Sequence, residues 1–455
     1  SNNGLIVTYG VINNAGGVIG ITANSGSVSL AAINQKGTGD ITLTATGAST
    51  GDIRLNGNIA KTGGTEATLT LKADNSIIIA AGRSITSTSD KLNVIFNSRA
   101  SDAATGTIRL SNATITSNGG NISLYGGTSF GGNAIGTDQG IYINSSTLSA
   151  GGGNILAAGQ STAGTSIGAL GLESSTITTT GSGTVTLSGA FTGGTVLNGN
   201  GVGLGLNGGV TISSGTGGIL LTGSSKLLNS NIPNGYHGAG ILQSGGDLAI
   251  TSLSGNITLT GTQTASSYAD PGIMLRSAGS TTLTTGGAGA IALNATGGSS
   301  SSYYGPGAAL LMGVSTLGSS ASTGYTNPVY ISAGTGGVAI TATTNASGSG
   351  IALYGIYNAS AVSTITSTGA VSVTANNSIY FLGAITGTGT LSVSATGAVA
   401  AGIQAGALSN NGSGALTPTT NNGGIYTNGV INNPGALTLT RNNGVTVQYG
   451  GVNDA

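Results

Sequence analysis

The chain has 455 residues, of which 86 are Gly and only 5% are charged, with 11 Lys and Arg balancing 11 Asp and Glu. A soluble globular domain carries about a quarter charged residues, so the polarity here comes from Ser, Thr, Asn and backbone. Zero net charge gives no basic stripe of the kind nucleic acid needs and favours association, and the absence of Cys excludes disulfides and thiolate metal sites.

No apolar run approaches the roughly 20 residues of a membrane helix, so no membrane span is expected. The chain starts at Ser1 and shows no signal-peptide core, and reads as processed or as a piece of something longer. Gly and Ser abundance alone would suggest disorder, but 38% of the residues are hydrophobic and alternate with Thr and Ser in short runs.

Strand signals begin at once. Asn2 opens "NNGLIVTYGVINNAG", and then come "DITLTA" (Asp40 to Ala45), "ATLTLKA" (Ala67 to Ala73), "TVTLSG" (Thr184 to Gly189), "NITLTG" (Asn256 to Gly261), "VAITA" (Val338 to Ala342) and "VSVTA" (Val371 to Ala375). This period of two marks half-buried strands. No sustained 3.6-residue period appears, and Gly, Thr, Ser and Asn would fill any helix poorly.

One phrase recurs around Ile122, Ile155, Val185, Ile219, Ile257, Ile291, Val338 and Val371, at intervals mostly near 33 residues. Within each interval an opening strand such as "GIYINS" or "GLGLNG" precedes a short strand such as "TLSA" or "VTISS", and the phrase closes the unit. Three short strands with Gly/Ser/Asn-rich corners make one turn of a parallel β-solenoid. A β-sandwich array would need repeats near 100 residues and antiparallel hairpins. The expected fold is therefore all-β, a single parallel β-solenoid over 1–455.

Within it, 1–110 is the more charged part, holding fourteen of the 22 charged residues. Insertions at 224–240, 262–272, 296–307 and 317–328 each carry Tyr. Insertions at one corner of a solenoid align along one face. Tyr236, Tyr268, Tyr303, Tyr304 and Tyr325 are thus the candidate lateral contact or glycan-stacking ridge, against the plainer reading that each Tyr anchors its own loop.

Chemistry is sparse. The one His, His237, sits in a Gly-rich loop, and no G-x-S-x-G elbow accompanies it. The carboxylates Asp138, Glu173, Asp247 and Asp270 lie about a turn or more apart. A glycosidase pair needs about 5 to 10 Å between its two carboxyl groups, and only Asp247 and Asp270 could approach by stacking. No calcium loop or calcium nonapeptide series appears, and "GNGVGLG" (Gly199 to Gly205) lacks the βαβ context of a dinucleotide site. No cofactor, no metal site and no catalysis are expected; a polysaccharide-active β-helix enzyme is the weakest of the alternatives.

The stretch from Leu69 to Gly127, with "ADNSIIIAAG", "LNVIFNSRA" and "GTIRLSNATITSNGGNISLYGG", resembles the filamentous haemagglutinin-like exoproteins of bacterial two-partner secretion. That resemblance implies a right-handed β-helix, export across the outer membrane, and a fibrous or adhesive role at the cell surface, with surface glycans or cells as partners. It departs from the family in lacking an N-terminal secretion motif: "IPNGY" near Pro233 and "NNGGI" near Gly423 are out of context.

The two ends carry the functional expectation. "NNGLIVTYGVINNAG" from Asn2 is matched by "NNGGIYTNGVINNPG" from Asn421 and by "NNGVTVQYGGVNDA" from Asn442. Uncapped solenoid ends are templates for endless pairing, and head-to-tail addition makes open filaments. The expected partner is a second copy. The expected interface is Leu5, Ile6, Val7, Tyr9, Val11, Ile12, Asn13 and Asn14 at one end, and Val445, Val447, Tyr449, Val452 and Asn453 at the other. A rod segment cut from a longer adhesin is the runner-up.

Overall fold

In the computed structural model, residues 2–454 are described, except 48, 166, 194, 197–200, 228, 231–237, 265–269, 277–278, 298–306, 314–326, 345–352, 359, 398–401 and 442–446. The chain divides into two compact units, Ser1–Thr192 with Gly203–Ile219, and Gly193–Val202 with Leu220–Ala455. Each is a stack of parallel strands. Among the described residues there is no helix, and so none long and apolar enough to cross a membrane.

In the first unit every turn contributes three strands. The long strand runs through Ile41–Ala45, Ala67–Ala73, Leu92–Ser98, Ile122–Gly126, Ile155–Ser161 and Val185–Phe191. Its inward file is Ile41, Leu69, Val94, Ile122, Ile155 and Val185, each paired in parallel with the next. The second strand stacks Val28, Ile53, Ile77, Ile108, Ile141 and Leu170. The third stacks Ile33, Ile59, Ile85, Ile115, Leu148 and Ile177. Nearly all of these are fully buried. Alternation supplies the core: each strand turns every second, β-branched or Leu, side chain inward, and its Thr, Ser and Asn outward.

The second unit repeats the pattern. Ile257, Ile291, Val338 and Val371 form one inward file, so the recurring phrase is the long strand of successive turns. The second and third strands fuse into the longer Ser378–Gly387, Ile403–Asn410 and Ile425–Asn433, which keep register across a bulge.

Corners are where backbone passes closest to backbone. A Cβ on Gly57 would stand 1.1 Å from the Ala31 carbonyl oxygen of the preceding turn, so only Gly fits there. Elsewhere Asn and Ser do the turning: Asn112, Ser145 and Ser174, at one corner of successive turns, have φ of 47°, 48° and 48°. Their N–H groups donate to the carbonyls of Asn144, Glu173 and Asn207 one turn on.

The insertions at 224–240, 262–272 and 296–307 fall between the end of a long strand and the next second strand, as in Ile257–Gln263 followed by Ile273–Leu275. Tyr236, Tyr268, Tyr303, Tyr304 and Tyr325 lie outside the described residues, as does His237.

Candidate self-assembly edges

Turn length varies along the chain. In the second unit Leu310 pairs with Ile273, 37 residues back. The first described turns are short: Val28 pairs with Ile6 after 22 residues, Ile33 with Ile12 after 21, and Ile41 with Ile19 after 22. The last described turns repeat those values. Ile425 pairs with Ile403 after 22, Val447 with Ile425 after 22, and Val452 with Ile431 after 21.

At the first edge, the side chains separate into two sets. Ile6 and Ile12 point inward over Val28 and Ile33, and remain half-buried where those partners are fully buried. Leu5, Val7, Tyr9 and Val11 point outward, exposed at 62%, 36%, 93% and 52%. Asn13 is also outward. The expected interface is thus refined: a stacked turn would seal Ile6, Ile12 and Asn14, while Leu5, Val7, Tyr9, Val11 and Asn13 form the rim. Val18, 75% exposed on the same turn, belongs with the rim and was not anticipated.

The backbone is equally polarised. The N–H groups of Gly4, Ile6 and Thr8 donate to the carbonyls of Asn24, Ser27 and Ser29 in the next turn. Alternate residues of a parallel strand bond to opposite sides, so Leu5 and Val7 turn theirs the other way.

At the last edge, Val447, Tyr449, Val452 and Asn453 lie on the strand Val447–Asp454, in register with Ile425, Thr427, Ile431 and Asn432. Val445 lies outside the described residues.

A file of inward polar side chains runs up one corner. In the first unit it follows the register Asn14, Gln35, Lys61 and Ser87. Gln35 and Lys61 are fully buried. Each member binds a carbonyl of the turn that follows it: Gln35 Nε2 donates to Gly39 O at 2.6 Å and Lys61 Nζ to Gly63 O at 2.9 Å. Ser117, Thr179 and Ser214 do the same to Gly120, Gly183 and Gly217 at 2.5, 2.8 and 2.7 Å. In the second unit Asn410 Nδ2 donates to Gly414 O at 2.5 Å. Its register successors are Asn433 and Asp454. Asn433 is 1% exposed, and neither amide atom has a partner. The sequence signal for this file is a polar residue three or four before a Gly, as in "NQKGTG" and "SNNGSG".

At the first edge an outward Asn pair stacks: Asn34 Nδ2 donates to Asn13 Oδ1 at 2.8 Å. On the last strand Asn453 is the register partner of Asn432. Such amide ladders are strongly stabilising in stacked β-structure.

Two other side-chain groups stand out. On the first unit's outer face Tyr142 Oη donates to Glu173, which also accepts from Asn207 Nδ2 at 3.2 Å, and the Arg109 guanidinium lies 6.0 Å from the ring centre. Burial, reinforced by the Glu173 carboxylate, pushes the phenol up to about 12. In the second unit Leu242, Met274, Leu311, Tyr357 and Tyr380 are register partners; Met274 and Leu311 are buried in a second apolar cluster with Ala239 and Ala308, Leu242 and Tyr357 are partly buried against it, and the Tyr357 and Tyr380 rings stack at 5.0 Å. Among the described residues no three His, Cys, Asp or Glu side chains gather where they could hold a metal.

The fold defines the chain as a parallel β-solenoid, compatible with a β-helical exoprotein. No protein-family model, curated protein or solved structure matches it.

Proposed function

We propose that this chain is a structural, non-catalytic subunit of an extracellular bacterial fibre, polymerising head to tail by stacking of its first and last turns. The carrying observation is the match between those turns: 22 residues from Ile6 to Val28 and 22 from Ile425 to Val447. A copy stacked in continuous register places Val447 against Ile6, Val452 against Ile12 and Asn453 against Asn13. The half-buried Ile6 and Ile12 then gain the covering that Val28 and Ile33 have. Burying them is favourable at about 25 cal/mol per Å² of apolar surface. The first 35 residues carry no charge, so no like-charge repulsion opposes the approach.

A second reading is a rod segment of a large secreted adhesin of the filamentous haemagglutinin type. It is favoured by the phrases between Leu69 and Gly127, and the stacked Tyr357 and Tyr380 would suit a glycan partner.

Electron microscopy of the purified chain separates the two. Long filaments of uniform width, with an axial repeat of one subunit, support the fibre. Monodisperse particles at high concentration overturn it.

A further inference from the structure

In the second unit Tyr357, Tyr380, Gln404 and Tyr426 follow one another in register, one per turn, on the second strand. The Tyr357 and Tyr380 rings stack nearly parallel, 12° apart. Tyr380 and Gln404 are half-buried, and Tyr426 is 40% exposed. Beside this file run Ser378, Gly402 and Gly424, each one residue before the register partners Ile379, Ile403 and Ile425. The Tyr426 ring lies back over Gly424: a Cβ there would stand 2.5, 2.6 and 2.7 Å from Cε2, Cζ and Oη of the tyrosine. The small neighbour thus lets the ring lie down against the sheet, with its other side toward solvent.

Spacing and charge narrow the partner. Neighbouring turns are about 4.8 Å apart, so Tyr380 and Tyr426, two turns apart, are separated by about 9.6 Å along the stack. In an extended β-1,4-linked polysaccharide alternate sugar rings present the same face, and one disaccharide is close to that length. A sugar lays its C–H face on an aromatic ring and turns its hydroxyls aside. Tyr supplies such a surface with a polar tip, and the Gln404 amide between the two rings can both donate and accept. From 277 to 440 the sequence has no Asp, Glu, Lys, Arg or His. A partner bearing sulfate, phosphate or carboxylate is held by Lys or Arg, so this face suits an uncharged one.

We propose that this file is a binding strip for an uncharged β-1,4-linked polysaccharide, which lies along the stack with alternate sugar rings at Tyr380 and Tyr426 and the ring between them at Gln404. Tyr357, stacked on Tyr380, fixes that ring in place. Ser378, Gly402 and Gly424 leave the strip open along one side, because none of them carries a side chain large enough to stand in the path of the glycan. The strip rests on the glycan partner of the rod reading and is independent of whether the chain stacks end to end.

The test is isothermal titration of the full chain with cellohexaose, with chitohexaose and with an oligogalacturonate of equal length, each at low and high salt, with circular dichroism to show that every variant is folded. Wild type should bind cellohexaose or chitohexaose, and salt should leave the affinity unchanged because no charge takes part. Tyr426→Ala should weaken that binding by up to about tenfold, the scale of one aromatic contact, and Tyr426→Phe should keep it. Tyr330→Ala removes a ring of similar exposure, 37%, from the third strand, and should leave binding as it is. Binding that Tyr426→Ala leaves intact, or that salt abolishes, overturns the strip. If oligogalacturonate binds and the two uncharged probes do not, the strip is overturned and the glycan reading stands. If none of the three binds, both fall.

Discussion

The side-chain amide of Asn14 donates to Gln35 Oε1 at 2.6 Å across one turn of the stack. Gln35 then donates to Gly39 O, and the next residue in register, Lys61, donates to Gly63 O. In several turns a polar side chain is thus drawn into the interior at this corner and satisfies a carbonyl of the tight turn. The requirement is local. A sharp turn leaves carbonyls that neither ladder can reach, and burying them unpaired is costly.

Replacing Gln35 with Leu tests that role. The side chain is fully buried and its volume is nearly kept, but Gly39 O loses its donor and Asn14 its acceptor. The expected loss is ~1–3 kcal/mol, read as a lower urea midpoint with little change in slope.

The aliphatic files predict local damage. Ile115 is fully buried between its register partners Ile85 and Leu148. Ile115→Ala should destabilise by ~2–5 kcal/mol through lost burial and a residual cavity. Because solenoid turns contact only their neighbours, hydrogen exchange should rise around Ile85 and Leu148 first, and least in distant turns.

Tyr142 should be the late-titrating phenol of the first unit. With burial as the main cause and Glu173 as the second, its ionisation is expected near 12 rather than 10. In sign, the folded state keeps the proton where the unfolded chain has lost it. The native state is thus unaffected below about 10 and becomes progressively less stable from 10 toward 12. Glu173→Gln removes the carboxylate but not the burial, so the ultraviolet titration midpoint should fall only part of the way back.

The stacking edges predict a separation of assembly from folding. Ile6→Lys puts a charge at a half-buried inward position of the first turn, and Val447→Lys puts one on the last strand, in register with Ile425. Filament length should collapse in both while circular dichroism of the subunit is retained. Unchanged filaments in both variants would place the contact elsewhere.

Much of this was legible in the residues. The phrase around Ile122, Ile155 and Val185 recurs because those side chains stack on one another, and a stack needs the same residue type at the same point of every turn. The corner glycines were legible too, although at Asn112, Ser145 and Ser174 the left-handed turn is made by residues that a Gly-based search overlooks. The inward polar file was not anticipated. Gln35, Lys61 and Asn410 resemble surface residues in composition, and only the corner geometry turns them inward.

The amino-acid sequence by itself determined the period, the three-strand order and the parallel pairing, because alternation and repeat length are one-dimensional properties that any stacked chain must express. Only the tertiary structure decided which of Leu5, Ile6, Val7 and Ile12 face the interior, that the first and last described turns have the same spacings of 22 and 21 residues, and that Asn433 lies buried without a partner. Those facts depend on register, and a shift of one residue would send every side chain to the opposite face.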